Sequence, residues 1–317
     1  MLIWHNIYAK VECMDLVEKI RIFKRVAELG SFSAASKELK VTQPTVSKAV
    51  KAFEKELGVT FLRRTTRGLS LTSEGQKLLF TGGNVLDQVE VMLAAIRNEK
   101  LQLQGQLRIT TSLAFGRLIL APVLGEFTRL HPDLKLSFHL SDGFVDLVEN
   151  GIDIAIRIGE LRDSTLKALK IGTSRRSLYA SPDYVKKFGK PKSIEDLRNH
   201  SLLYFTRIRD RPCWPLHTED GTPTPFYFEP HIQTDGSDLM RELVLKGMGI
   251  ALLPTWMMCG AVKEKAAIKF FETQSASPTS IYFVTSGTQD MTAKQRAFTD
   301  FLVKLFDKIP ELSLRQK

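Results

Sequence analysis

The chain is poor in cysteine and has no long apolar run. Of its 317 residues three are cysteine, Cys13, Cys213 and Cys259, too few and too widely spaced for a disulfide framework or a zinc site. No stretch reaches the ~20 apolar residues that a membrane-spanning helix needs, and the first residues lack the apolar core of a signal peptide. We therefore expect a cytoplasmic protein with reduced thiols and no membrane contact.

Motifs of enzyme chemistry are absent as well. The sequence contains no G-x-S-x-G elbow, no Walker loop and no H-E-x-x-H pair. Its six histidines show no metal-ligand spacing. The sequence therefore predicts no catalytic residue, no metal and no cofactor, and an enzyme is the least favoured class.

Positive charge is concentrated at the N-terminal end. The whole chain carries a net charge of +10, and residues 1–73 hold 13 Lys and Arg against 7 Asp and Glu, a net +6. An excess of this kind favours a polyanionic partner. The composition is otherwise that of a globular protein, with 43% hydrophobic and 25% charged residues, and the length suits two or three domains.

Residues 31–72 have the pattern of two short helices followed by a basic hairpin. Ser31 and Ser33 can cap the first helix and Thr42 the second. Pro44 fits only in the opening turn of a helix, which fixes the boundary between the two. The second helix buries its apolar face and exposes a short polar set at its start, as a helix that reads the major groove does. The predicted base-reading set is Gln43, Thr45, Ser47 and Lys48, and Pro44 is counted with them among the DNA-binding residues.

A basic hairpin follows this helix pair. Strand-like runs at 59–62 and 69–71 flank three arginines and two threonines, a composition that suits phosphate and minor-groove contact. We expect these residues to form the wing of a winged helix. The predicted phosphate and wing contacts are Ser31, Ser33, Arg63, Arg64, Thr66 and Arg67.

The helix that starts at Thr72 and reaches about Leu101 carries an apolar seam. Its members step by three and four residues, which is typical of a coiled coil with a second subunit. Gly82 and Gly83 weaken this helix by roughly 1 kcal/mol each, and either close helix approach or a bend accounts for them. The predicted seam is Leu79, Gly82, Leu86, Val89, Leu93 and Ile96.

From Leu107 onward strand-like and helix-like runs alternate, which favours an α/β architecture with mainly parallel strands. The elements between about 179 and 271 form a separate set, so two lobes joined by crossover strands are expected. The predicted strands are 107–111, 134–140, 153–159, 249–254 and 281–286, and the predicted helices are 115–130, 237–247 and 292–307.

Polar side chains gather at predicted strand ends and helix starts in both lobes. In open α/β lobes ligands bind beyond the carboxyl ends of strands, where helix N-termini offer N–H groups. Hydroxyls, helix starts and one arginine favour a small anion such as a carboxylate. Arg157 as an inter-lobe salt bridge and Ser112 as a helix cap remain alternatives. The predicted effector contacts are Thr111, Ser112, Arg157, Gly159, Phe205, Thr206, Thr234 and Asp235.

Four segments carry a resemblance to a known family: GSFSAAS, TQPTVSKAV, FEKELGVTFLRR and LSLTSEG. Together they resemble the DNA-binding domain of LysR-type transcriptional regulators, although Lys48 stands where that family more often has arginine, which leaves the base preference open. The resemblance implies a winged helix-turn-helix at 14–72, a linker helix and hinge at 73–104, and a bilobal, periplasmic-binding-protein-like effector domain at 105–317.

The resemblance also implies partners. These are double-stranded DNA, a small-molecule effector and further copies of the chain in a homodimer or homotetramer, with RNA polymerase as an additional candidate. Two alternatives stay open: a small-molecule-binding protein without a DNA role, and a regulator that senses redox state through Cys213 and Cys259.

Overall fold

The computed structural model describes residues 2–65, 68–97, 103–160, 166–207, 211–218, 220–271, 277–285 and 291–314, with side chains described from Leu16 onward except at 64–65, 68 and 94–95. These residues form two compact units. The first contains residues 1–103 with the short segments 146–152 and 290–294, and the second contains the remainder.

The first unit is a winged helix followed by a long helix. Two small cores hold it together: Val26, Ala35, Val46 and Val50 in one, and the aromatic side chains of Phe23, Phe53 and Phe61 in the other. Its elements are α1 (Leu2–Leu29), α2 (Phe32–Glu38), α3 (Gln43–Leu57), β1 (Leu62–Thr65), β2 (Gly68–Leu71) and α4 (Ser73–Arg97).

The wing is confirmed as a hairpin, but its first strand lies later than predicted. β1 pairs with β2 in antiparallel register, with Leu62 opposite Leu71 and Arg63 opposite Ser70. The expected strand at 59–62 is wrong because Gly58 ends α3 in the left-handed conformation and residues 59–61 serve as its connection to the wing. Arg63 and Arg64 therefore belong to a strand rather than to the turn.

The predicted seam on α4 is wrong at Leu86. Leu86 is only 5% exposed and packs in the aromatic core of its own subunit, with Leu79 at the edge of that core. A Cβ on Gly82 would lie 2.7 Å from Ile20 Cγ2, so glycine permits close approach of α1 to α4. The second half of the stripe is available to a partner, because Leu93 is 38% and Ile96 72% exposed.

The second unit contains two lobes, each built on a five-stranded sheet. The first lobe has the strand order β4-β3-β5-β14-β6. Its elements are β3 (Gly105–Thr111), α5 (Leu113–Phe115), a π-helical turn (Gly116–Leu120), α6 (Leu124–Leu130), β4 (Leu134–Leu140), β5 (Ile154–Ile158), β6 (Lys167–Ser174), β14 (Thr279–Thr285) and α10 (Ala293–Asp307).

The second lobe has the strand order β11-β8-β12-β7-β13 and an additional hairpin, β9–β10. Its elements are β7 (Arg176–Ala180), α7 (Pro182–Phe188), a 3-10 turn (Glu195–Asn199), β8 (Leu202–Phe205), β9 (Cys213–His217), β10 (Pro223–Tyr227), β11 (Ile232–Thr234), α8 (Ser237–Leu245), β12 (Ile250–Pro254), α9 (Thr255–Lys263) and β13 (Ile268–Phe270).

Both sheets are mixed, which corrects the expectation of mainly parallel strands. In the first lobe β3 runs parallel to β4 and β5, while β14 runs antiparallel to β5 and β6. In the second, β8 runs parallel to β11 and β12, while β7 runs antiparallel to β12 and β13. The antiparallel pairs involve the strands at which the chain crosses between the lobes, from β6 to β7 and from β13 to β14.

The single helix expected at 115–130 is divided. α5 and the π-helical turn end before Pro122, and α6 begins only at Leu124. Proline has no N–H to donate and its ring clashes with the preceding turn, so the helix cannot continue through this position.

Candidate nucleic-acid interface and effector cleft

The start of α3 has the predicted cap. Thr42 is the N-cap residue, and its Oγ1 accepts from the Thr45 backbone N–H at 3.4 Å and lies 2.8 Å from the Thr45 hydroxyl. Pro44 sits in the first turn, where a missing N–H has no cost. The local sequence therefore fixes where α3 begins.

The predicted base-reading residues share the outer face of α3. Gln43, Pro44, Thr45 and Lys48 are exposed and Ser47 is half-buried, while Val46 and Val50 point into the core. Polar groups at the first turns of an exposed helix can reach base edges in the major groove.

Two lysines further along α3 extend this face and were missed in the sequence. A groove on the outer side of the helix is lined by Pro44, Ser47, Lys48, Lys51, Ala52 and Lys55. Lys48, Lys51 and Lys55 step by three and four residues, and this spacing was the signal available in the sequence. The three ammonium groups form a basic stripe suited to the phosphate backbone.

The wing is tied to the recognition helix by Glu54. Its Oε1 accepts from the backbone N–H groups of Phe61 at 2.7 Å and Leu62 at 3.2 Å. Of the predicted wing contacts, Arg63 is exposed. The side chain of Arg64 and the whole of Thr66 and Arg67 lie outside the described residues.

Ser31 and Ser33 lie at the start of α2. Ser31 is the N-cap, and its Oγ accepts from the Ala34 N–H at 3.2 Å. Ser33 is exposed, and its carbonyl accepts from the Ser36 hydroxyl at 2.9 Å. The Ser31 hydroxyl thus has a structural partner, whereas the Ser33 hydroxyl faces solvent.

In the first lobe the predicted effector contacts lie at the carboxyl ends of β3 and β5. These neighbouring strands are parallel, with Thr110 beside Ala155, so Thr111 and Arg157 end at the same edge. Ser112 caps α5 through a 3.3 Å bond from the Phe115 N–H, as the capping alternative expected. Gly159 follows β5 with φ +112°, a conformation that favours glycine, and donates its N–H to Ser280 O at 3.0 Å.

Two buried polar atoms at this edge lack partners among the described residues. They are Thr111 Oγ1 and Arg157 Nη2. Arg157 Nη1 donates to the Gly143 carbonyl at 3.0 Å, and burial of the guanidinium lowers the pKa of Arg157. A buried cation with an unused donor is a candidate anion contact.

The predicted contacts of the second lobe gather at the end of β8 and the start of α8. Thr206 donates its N–H to Thr234 O at 3.0 Å, and Thr234 Oγ1 accepts from the Gly236 N–H at 3.1 Å. Asp235 is exposed and pairs with Arg207 at 3.0 Å. Phe205 is half-buried at the end of β8.

The inter-lobe bridge differs from the alternative that assigned it to Arg157. Side-chain bonds between the lobes in the described residues include that of Asp142, which accepts from Ser237, and that of Arg117, which donates to Asp238 with Nε at 3.1 Å from Oδ1. No motif marked Asp142 or Arg117 in the sequence, because their partners lie 95 and 121 residues away.

The features of the redox alternative are two free thiols. Cys213 is buried on β9, and Cys259 is half-buried on α9 with its Sγ 3.4 Å from Trp256 O. Among the described residues no three His, Cys, Asp or Glu side chains are grouped to hold a metal. A search of the same residues for a bilayer-crossing helix found none.

A winged helix with a basic recognition face, joined to a bilobal ligand-binding fold, defines a ligand-responsive DNA-binding regulator. The chain matches two family models over most of its length. Residues 17–76 match the bacterial regulatory helix-turn-helix protein, lysR family, and residues 100–307 match the LysR substrate binding domain.

Relatives and solved structures agree with these matches. The HTH-type transcriptional regulator CrgA of Neisseria meningitidis is 34% identical over 90% of this chain and 96% of its own length. The regulator DmlR of Escherichia coli is 31% identical over 95% of this chain and 98% of its own. The CrgA structure, titled as a LysR-type transcriptional regulator, superposes with a TM-score of 0.59 at 33% identity, covering 90% of this chain and 97% of that one.

The chain therefore belongs to the LysR family of transcriptional regulators. It has the family's DNA-binding helix-turn-helix and effector-binding domain. The relatives named here are transcriptional regulators, so the protein is a regulator of transcription and not an enzyme.

Proposed function

We propose that this regulator responds to a small anionic effector, such as a carboxylate, that binds between the two lobes of its second unit. The observation that carries the proposal is the buried Nη2 of Arg157, which has no partner among the described residues. A buried guanidinium N–H without an acceptor is costly, and a carboxylate supplies two acceptors that match the geometry of the group. Thr111 Oγ1, also buried and unpartnered, offers a hydroxyl at the same edge.

The test is a screen of small carboxylic and aromatic acids on the full chain by thermal shift. A hit is then examined for its effect on binding to the intergenic DNA beside the gene. Arg157→Ala is expected to lose most of the effector response and to keep operator binding, because Arg157 belongs to the second unit and the recognition helix to the first. Ser112→Ala is expected to weaken the response less, since its Oγ already bonds the Phe115 N–H.

Arg129→Ala is the matched control, because Arg129 is an exposed arginine of the same lobe whose Nε donates only to a carbonyl of its own helix, that of Gly125. An effector that acts equally on wild type, Arg157→Ala and Arg129→Ala contradicts the assignment of the cleft. A response that appears only under oxidation and requires Cys213 or Cys259 favours the redox alternative instead.

On DNA, we assign base reading to Gln43, Thr45, Ser47 and Lys48, and phosphate contact to Lys51, Lys55 and the wing. The exposed first turns of α3 support the first role and the basic stripe supports the second. The active species is a homodimer, paired into a homotetramer, whose subunits associate through the exposed end of α4 at Met92, Leu93 and Ile96. These side chains are 54%, 38% and 72% exposed, which is unusual for large apolar groups that recur at helical spacing.

A further inference from the structure

A carboxylate of the first lobe occupies the start of α8 in the second lobe. Asp142 Oδ2 accepts from the Ser237 backbone N–H at 2.9 Å, and Asp142 Oδ1 accepts from the Ser237 hydroxyl at 2.8 Å. Gly236, the N-cap residue, contributes no side-chain cap of its own. Asp142 thus supplies, from the other lobe, the capping group that this helix start lacks.

Two arginines lie close to the Asp142–Gly143 segment, and one of them, Arg207, also pairs with Asp235 at 3.0 Å. The next carbonyl, that of Gly143, accepts from Arg157 Nη1 at 3.0 Å. From the second lobe the Arg207 guanidinium packs over Gly143, since a Cβ built there would lie 3.5 Å from Arg207 Nη2. Two arginines and the start of α8 therefore adjoin one short segment of the chain, together with the carboxylates of Asp235 and Asp238, which pair with Arg207 and Arg117.

We infer that Asp142 is a built-in competitor for the effector: its carboxylate fills an anion subsite at the start of α8 and holds the lobes together. A carboxylate ligand binds there by displacing Asp142, and the displaced Asp142–Gly143 segment releases its bond to Arg157. This deepens the proposed function, because it names how a ligand changes the contact between lobes. We call the contact between Asp142 and Ser237 the latch. The effector and Asp142 bind the same N–H and hydroxyl of Ser237, so only one of them can occupy this site at a time.

A tethered group competes strongly with a free one. An attached ligand acts as though it were present at a concentration on the order of millimolar or more, so a simple carboxylate binds the wild type poorly. Removing Asp142 removes the competitor while leaving the helix start and both arginines in place. The variant should therefore bind acetate at least about tenfold more tightly than the wild type.

The experiment is an acetate titration of the full chain at constant sodium concentration, with the midpoint of thermal unfolding as the readout. Asp142→Ala is compared with the wild type and with Asp133→Ala, an exposed aspartate at the opposite end of β4. Acetate should raise the midpoint of Asp142→Ala at concentrations that leave the other two proteins unchanged. The same acetate dependence in all three proteins would overturn the inference.

Amide hydrogen exchange gives a second, local readout at the start of α8, with the amides of β12 in the same lobe as the reference for a change in overall stability. The Ser237 N–H should exchange faster in Asp142→Ala and be protected again by acetate, and unchanged exchange there would refute the latch. If Asp142→Ala does not fold, Asp142→Asn keeps the volume and one acceptor but loses the charge. Its acetate affinity should then exceed that of the wild type, and an affinity equal to that of the wild type would overturn the inference.

Neither readout uses DNA, so this inference and the proposed function can fail separately. If acetate protects the Ser237 N–H but no effector changes operator binding, the latch is supported and the proposed regulatory role is refuted. An effector that requires Arg157 while acetate leaves Asp142→Ala unaffected overturns the latch alone.

Discussion

Leu86→Ala should destabilise the DNA-binding unit itself rather than only its association with a second subunit. Leu86 is 5% exposed and packs with Ile20, Phe23, Phe53 and Phe61. Truncating a fully packed leucine costs roughly 2–5 kcal/mol, of which part is the cavity left behind. Gly82 brings α1 close to α4 one turn earlier, so the backbone there has little room to collapse into the cavity.

Amide hydrogen exchange on the full chain measures this cost within one unit, because slow amides of α1 and α3 report the opening of their own core. A loss of 2 kcal/mol or more accelerates their exchange roughly 30-fold or more, since each 1.4 kcal/mol is about tenfold. Amides of β12 in the second unit serve as the internal reference and should not change.

Ile96→Ala is the matched comparison on the same helix. Ile96 is 72% exposed, and a surface substitution changes subunit stability by no more than about 0.5 kcal/mol. It should leave exchange in α1 and α3 unchanged and weaken self-association in sedimentation. If Leu86→Ala instead dissociates the oligomer with normal exchange in α1 and α3, Leu86 belongs to an intersubunit seam and the packing argument is refuted.

Four further substitutions test the DNA-binding unit. Lys51→Ala should lower the slope of log affinity against log salt concentration by about 1 on every DNA sequence. Gln43→Ala should weaken the binding free energy by roughly 1–3 kcal/mol on the operator alone. Equal effects of both substitutions on random DNA would contradict this division of roles. Lys40→Gly should stabilise the turn between α2 and α3 by about 1 kcal/mol, because Lys40 has φ 56° and glycine adopts that conformation freely. Amide hydrogen exchange in α2 should then slow, and unchanged or faster exchange there would contradict this prediction. Glu54→Gln removes the charge from a carboxylate that accepts two backbone hydrogen bonds from the start of the wing. It should weaken binding to all DNA sequences in a filter-binding assay. A loss of affinity on the operator alone would be inconsistent with a role of Glu54 in positioning the wing.

The helix-turn-helix could be predicted from sequence because its signals are local. Thr42, Pro44 and the spacing of Val46 and Val50 specify the start and the buried face of α3 within nine residues. The same reasoning failed on α4, since periodicity shows that a face is apolar and does not identify what covers it. Gly82 was the available clue, because a glycine in a helix interior is explained by the close approach of a neighbouring helix.

The effector cleft could be predicted only as a region. Thr111 and Arg157 were placed at one sheet edge by the rule for parallel strands. The contacts that close the cleft were beyond sequence reasoning because Asp142 meets Ser237 across 95 positions. A lone aspartate after a strand has no pattern that distinguishes it from any solvated carboxylate.

The division of α4 has a consequence for how the protein is controlled. Its first half is part of the winged-helix core and its second half presents Leu93 and Ile96 outward. The same helix therefore forms part of the winged-helix core and offers an apolar surface to a second subunit. A rotation of the exposed half of α4 should therefore rotate the recognition helix with it. We expect the affinity for DNA to depend on the spacing of the two half-sites as strictly as on their base sequence.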